Sequence, residues 1–241
     1  MCNYKDLKYW VAGSGADIVL LLGWGANKSS YINLISDLSA NYRVWALDLW
    51  GFGDTPPPSV AVGAVEYAEG VNDFIQNFIG RRVTVVGHSF GGRVAIVLAN
   101  ISKFVDRLIL IDSAGVPPRF SFRRFLAIKK FHSLKKKVEQ GKCDKSVLES
   151  FGSADWKNSK GVMRGVLSRV VNEDLVPIAK KIAQPTLLLW GKYDNITPLY
   201  MAKTLRKTIK DSKLIVVSGD HFCLLNSDIL SFIYKFLENW E

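Results

Sequence analysis

Short, unbroken apolar runs recur along the chain, and between them apolar residues return every three or four positions. Runs at 18–22, 43–47, 83–86, 108–112, 185–191 and 213–217 are rich in Val, Ile and Leu, and a mixed run opens the chain at 7–11. Runs of this length predict strands, most of them buried on both faces as in a parallel sheet. Tyr31, Leu34, Ile35 and Leu38 share one helical face, which predicts an amphipathic helix. Further helices are predicted at 65–78, 93–99 and 199–208. A C-terminal helix carries Leu225, Ile229, Phe232, Ile233, Phe236 and Leu237 at helical spacing. Strands alternating with helices predict an α/β fold with a mostly parallel central sheet and helices on both faces. One segment breaks the rhythm. From Pro117-Pro118 to Asp174 the sequence is basic and helical in pattern, with no convincing strand. Residues 117–174 therefore read as an inserted helical cap, and residues 1–116 with 175–241 as the core domain.

The charge distribution singles out the same segment. The formal net charge is +10; residues 117–181 hold 16 Lys and Arg against 6 Asp and Glu, while the rest balances at 16 each. A basic stretch interleaved with aromatic residues suits a solvated outer face whose apolar side covers a site. It also suits steering of an anionic substrate, docking of an acidic partner, or contact with anionic lipid. No nucleic-acid-binding module accompanies it, so no nucleic acid is expected. Phe120, Phe122, Phe125, Trp156, Met163 and Leu167 read equally as the wall of an acyl pocket beneath the cap or as the cap's own core.

Other counts exclude classes. The longest aliphatic run, 18–22, is too short to span a bilayer, so no transmembrane segment is expected. The opening residues have no apolar core, so no secretory signal is expected. Cys2, Cys143 and Cys223 are odd in number at unrelated spacings, against a disulfide framework or a zinc site. A reduced, cytoplasmic protein without metal or cofactor is the expectation.

The strand at 83–86 runs straight into Gly87-His88-Ser89-Phe90-Gly91, and a helix-forming segment follows at once. In that setting G-x-S-x-G reads as a sharp strand-to-helix turn that exposes the Ser89 hydroxyl. The flanking glycines lack a Cβ and let strand and helix approach closely. A serine hydroxyl needs a base, usually histidine, oriented in turn by a carboxylate. His88 sits beside the serine, where its side chain should point away, and His132 lies among lysines. His221 follows the last strand, and Asp194 follows the strand before it. Both loops fall at the strands' C-terminal edge, with Ser89. The order Ser89, Asp194, His221 is that of a nucleophile–acid–base triad on this architecture. Asp112 is the alternative acid, less favoured because Ser113-Ala114-Gly115 reads as a structural turn. Cys223 has no elbow around it and reads as a buried free thiol.

Five motifs together resemble the α/β-hydrolase fold superfamily, in its small capped carboxylesterase and carbon–carbon hydrolase branch. They are Leu22-Gly23-Trp24-Gly25, Asp48-Leu49-Trp50-Gly51-Phe52-Gly53, the elbow, Gly191-Lys192-Tyr193-Asp194 and Gly219-Asp220-His221-Phe222. The resemblance implies an oxyanion hole from the backbone N–H groups of Trp24 and Phe90. It implies a serine carboxylesterase acting on a small ester, with an anionic ester or one held by an acidic carrier protein as a further case. Hydrolysis of a carbon–carbon bond in a vinylogous diketone, lactone hydrolysis, acyl transfer and a non-enzymatic ligand receptor are the alternatives. Two departures stand out. Leu22 occupies a position where the family usually has histidine, and the stretch before Leu7 is short, so fewer than the usual eight strands are expected.

Overall fold

The computed structural model describes residues 2–119, 122–148, 151–225 and 228–238. The side chains of Arg123, Arg124, Phe125, Ile128 and Lys145 lie outside the described ones. In chain order the elements are β1 (Lys8–Ala12), β2 (Asp17–Leu21), α1 (Ile32–Ser39), β3 (Arg43–Asp48), α2 (Ala64–Phe74), β4 (Val83–His88), α3 (Phe90–Ile101) and β5 (Val105–Ile111). There follow α4 (Phe122–Glu139), α5 (Ala154–Asn158), α6 (Gly161–Val170), α7 (Val176–Ala179), β6 (Thr186–Gly191), α8 (Leu199–Thr208), β7 (Ser212–Val217) and α9 (Asp228–Glu238).

The strands form one seven-stranded sheet in the order β1-β3-β2-β4-β5-β6-β7. All neighbours pair in parallel except β1, which runs antiparallel to β3 at the edge. Side chains alternate across a strand, and that alternation sorts the core into two layers. Val19, Leu21, Val85, Leu108, Leu110, Leu188 and Trp190 pack under α2, α3, α7 and α8. Ile18, Leu20, Val86, Ile109, Ile111, Leu187 and Leu189 pack under α1 and α9. A strand that serves both layers has no polar face, and this is why β2, β4 and β6 read as unbroken apolar runs.

Several boundaries differ from the sequence pattern: α3 begins at Phe90 and β5 at Val105, each three residues early. Helix α2 ends at Phe74 and continues as a π turn, Ile75–Ile79, stopped by Gly80 at φ 69°. Tyr31 belongs to a 3-10 turn, Lys28–Tyr31, ahead of α1. Leu225 lies in a 3-10 turn before α9 and is exposed, so it is no part of that helix's apolar face.

Between β5 and β6 the chain passes through α4 to α7. Val166, Leu167 and Val170 of α6 are buried. Phe122 and Leu126 of α4 stand exposed, so that helix presents apolar residues outward as well as inward. Among the described residues no helix is long and apolar enough to cross a membrane.

Candidate active site

The C-terminal ends of β2, β4, β5, β6 and β7 lie along one edge of the sheet, and the chemistry gathers there. Ser89 turns the chain from β4 into α3 at φ 51°, ψ −112°, a conformation that costs about 1–3 kcal/mol in a residue with a Cβ. The surrounding backbone holds it. The Ser89 N–H donates to the Ile111 carbonyl at 3.1 Å, and the Ala114 N–H donates to the Ser89 carbonyl at 3.1 Å. A Cβ at Gly91 would land on the Leu21 carbonyl oxygen, and one at Gly87 on the Gly91 carbonyl. Gly87 lets α3 press against β4, and Gly91 lets the start of α3 press against the end of β2.

That contact brings Phe90 beside the loop that follows β2. The Trp24 ring packs edge-on to Phe52 at 4.9 Å and to Phe90 at 5.3 Å. The Phe90 N–H, first in its helix, has no acceptor within that helix. The loop itself is closed by the Ala26 N–H on the Gly23 carbonyl at 3.1 Å. Just beyond it, the Asn27 side chain caps the 3-10 turn. Lys28 is tied to Asp48 through its N–H and its Nζ, each at 2.7 Å.

Ser89, His221 and Asp194 meet in one hydrogen-bonded line. His221 Nε2 lies 2.9 Å from Ser89 Oγ, and His221 Nδ1 lies 2.8 Å from Asp194 Oδ2. The loops that carry the pair are laced together: the Tyr193 N–H donates to the Gly219 carbonyl at 2.9 Å. Asp194 Oδ1 accepts the Ile196 and Thr197 N–H groups at 2.8 Å, and Asp194 Oδ2 accepts the Thr197 hydroxyl at 2.6 Å. Burial alone would raise the Asp194 carboxyl. The His221 ring and the Thr197 hydroxyl and amide more than offset it and hold the group below its ordinary value. Thr197, which the sequence reading missed, is legible afterwards as a residue three places past the carboxylate in a turn.

Asp112 does not join the line. Its Oδ1 accepts the Gly191 N–H at 2.8 Å, and the Cys223 thiol lies beside it. Burial chiefly raises the Asp112 carboxyl to about 6 and pushes the Cys223 thiol up, so the thiol stays protonated.

His88 does point away from Ser89, but it is not idle. It is 1% exposed. Its Nε2 lies 2.8 Å from the His221 carbonyl and its Nδ1 2.7 Å from the Tyr31 hydroxyl. A carbonyl can only accept, so Nε2 carries the proton and Nδ1 accepts from Tyr31. The Tyr31 oxygen also lies close to Gly23. Burial first of all pushes His88 down to about 4, which keeps it neutral.

A cavity of about 700 Å³ opens above Ser89. Trp24, Phe90 and Met201 line it, with Ala127, Phe131, Phe151, Trp156 and Leu167 from the stretch between β5 and β6. Of the expected wall, Trp156 and Leu167 are in place. Phe122 is 65% exposed, and Met163 packs against Gly51 instead. Phe120 and the Phe125 side chain lie outside the described residues.

A sequence model of the alpha/beta hydrolase family matches residues 18–229. The chain belongs to the alpha/beta hydrolase family. Among its family relatives, three uncharacterized proteins of Mycobacterium bovis and M. tuberculosis are 38% identical over 107 residues. That match covers 44% of this chain and 31% of theirs, so the chain matches about a third of their length. A pimeloyl-[acyl-carrier protein] methyl ester esterase of Vibrio atlanticus is 25% identical over 96% of this chain and all of its own. A 2-hydroxy-6-oxo-6-(2'-aminophenyl)hexa-2,4-dienoic acid hydrolase of Metapseudomonas resinovorans is 28% identical over 86% of this chain and 78% of its own. An esterase of Exiguobacterium antarcticum superposes with a TM-score of 0.76 at 22% identity, over 97% of this chain and 96% of that one. The fold is the family's. Leu22, where the family usually has histidine, is buried with α1 and α9, and Tyr31 and Lys28 anchor the neighbouring loop.

Proposed function

We propose that this alpha/beta hydrolase is a serine esterase that cleaves a small carboxylic ester through an acyl-enzyme. The observation that carries the reading is the line from Ser89 Oγ through His221 to Asp194, at 2.9 and 2.8 Å, on a strained elbow beneath a cavity. His221 Nε2 takes the Ser89 proton as the hydroxyl attacks the ester carbonyl. Asp194 keeps the Nδ1 proton in place and stabilises the imidazolium. The Trp24 and Phe90 N–H groups receive the developing oxyanion, each donor contributing about 2.7–4 kcal/mol. His221 then protonates the departing alcohol, and water enters by the same route in reverse.

In this reading residues 117–174 act as a cap over a core of residues 1–116 and 175–241, and supply Trp156, Leu167 and Phe131 to the cavity wall. The basic character of that segment favours an anionic ester, or one presented by an acidic carrier. The name of the Vibrio relative supports the carrier-bound case. The name of the Metapseudomonas relative keeps carbon–carbon bond hydrolysis as the second reading, since the same triad and cavity serve it. A fluorophosphonate probe tests the first step. It is expected to label Ser89 stoichiometrically, and to fail on Ser89→Ala and His221→Ala. Equal labelling of all three proteins would remove the proposal.

A further inference from the structure

The cavity wall contains a cation whose neighbours leave most of its donors unused. Arg93 follows Ser89 by one turn of α3, is 6% exposed and lines the cavity. A guanidinium offers five N–H donors in a planar fork. Arg93 Nη1 donates to the Glu173 carbonyl at 3.0 Å, and among the described residues no carboxylate lies within 4.0 Å of it to form an ion pair. Its remaining nitrogens are not sealed away. Among the described residues, Asp112 Oδ2 is the buried side-chain atom that lacks both a partner and access to solvent. The unbonded nitrogens of Arg93 are not among such sealed atoms, and Arg93 is part of the cavity wall.

The surrounding carboxylates do not cancel this charge. Glu173 acts on Arg93 from a distance, but both its oxygens accept the Ala64 N–H at 3.2 Å, and Arg169 acts on it as well. Asp155 lines the same cavity and, among the described residues, forms no ion pair with Arg93. Much of the remaining wall is apolar: Val116, Leu167, Val170 and Met201. An unpaired charge in such surroundings is costly, and a planar carboxylate matches the free edge of the fork. One helical turn is about 5.4 Å, so the Arg93 backbone follows that of Ser89 by one turn and both residues line one cavity.

Building on the esterase reading, we propose that Arg93 is a specificity-determining residue that receives a carboxylate of the substrate. The preferred substrates are then short half-esters of dicarboxylic acids rather than neutral esters of the same length.

Monomethyl succinate and dimethyl succinate, nearly equal in size, form the test pair. Wild type is expected to favour the half-ester at least tenfold in kcat/KM, mainly through KM, and Arg93→Met to reduce that ratio at least tenfold. Arg93→Lys, which keeps the charge but not the fork, is expected to fall between them; circular dichroism checks each fold. Equal kcat/KM for the two esters in wild type overturns the anion site and leaves the esterase reading intact. An unchanged ratio in a folded Arg93→Met protein also overturns it. Calorimetry on Ser89→Ala separates binding from turnover. If wild type hydrolyses neither ester while Ser89→Ala binds the half-ester tenfold more tightly than the diester, and adding Arg93→Met or Arg93→Lys weakens that preference, the anion site stands and the esterase reading falls.

Discussion

His88 Nε2 donates to the backbone carbonyl of His221 at 2.8 Å, while the next residue, Ser89, meets the His221 ring at 2.9 Å. Two consecutive residues of the elbow thus grip one histidine, by its backbone and by its imidazole. Tyr31 completes the arrangement by donating to His88 Nδ1 at 2.7 Å, with its oxygen close to Gly23. Two buried hydrogen bonds and this contact therefore join the loop at Trp24 to the loop at His221. In the proposed mechanism these are the oxyanion hole and the base.

Replacing His88 with Leu strands the His221 carbonyl and the Tyr31 hydroxyl, each at about 1–3 kcal/mol. The pH dependence carries a sign of its own. Burial holds His88 at about 4 in the fold, below its ordinary value near 6.5, so the unfolded chain binds the proton first. Wild-type stability contributed by this group is complete above about pH 6.5 and is lost towards pH 4, at up to about 1.4 kcal/mol per pH unit. Asp112, raised to about 6 chiefly by burial, works in the opposite direction over pH 6 to 3.8 but is present in both proteins. Urea unfolding at pH 7, 5 and 4 should show the gap between wild type and His88→Leu narrowing as the pH falls. A gap independent of pH would refute the neutral buried His88.

Tyr31→Phe keeps the ring and removes one oxygen. His88 Nδ1 loses its partner, for a loss of about 1–3 kcal/mol. Combined with His88→Leu, the effects on kcat should be less than additive, because both break one network. Full additivity in a double-mutant cycle would show that the two residues act separately.

The two aspartates at the strand ends should behave differently. Asp194→Asn is expected to lower kcat by about 10⁴, since the amide no longer holds the His221 tautomer. Asp112→Asn should stay within about tenfold of wild type, because that carboxylate bonds Gly191 rather than His221. Steady-state kinetics on a chromogenic ester decide it, and a reversed order would transfer the acid's role to Asp112.

Gly91 is a steric position. A Cβ there collides with the Leu21 carbonyl, so Gly91→Ala must push α3 off β2. A loss of about 1–3 kcal/mol is expected, with kcat reduced as the Phe90 amide shifts. Thermal melting together with activity per folded molecule checks both parts.

Much of the fold is legible in the sequence because the physics behind it is local. An unbroken run such as 18–22 can only sit where both faces are covered, and β2 does. The elbow was legible for the same reason: Gly87, Ser89 and Gly91 act within five residues. The roles of His88 and Tyr31 were not, because the partners lie 57 and 133 positions apart. Arg93 was hidden for a different reason. In sequence it is one more basic residue in a helix, and its burial on the cavity wall depends on Glu173 and the stretch between β5 and β6. The exposed Phe122 marks the limit of periodicity: the spacing names a face without saying what covers it.

Hydrolysis of p-nitrophenyl esters from acetate to palmitate, by wild type and by Ser89→Ala, decides whether Ser89 is the nucleophile. Wild type should turn over the short esters, with kcat falling on the order of 10⁶, to background, in the variant. Turnover that survives in Ser89→Ala would place the nucleophile elsewhere and refute the serine esterase proposal.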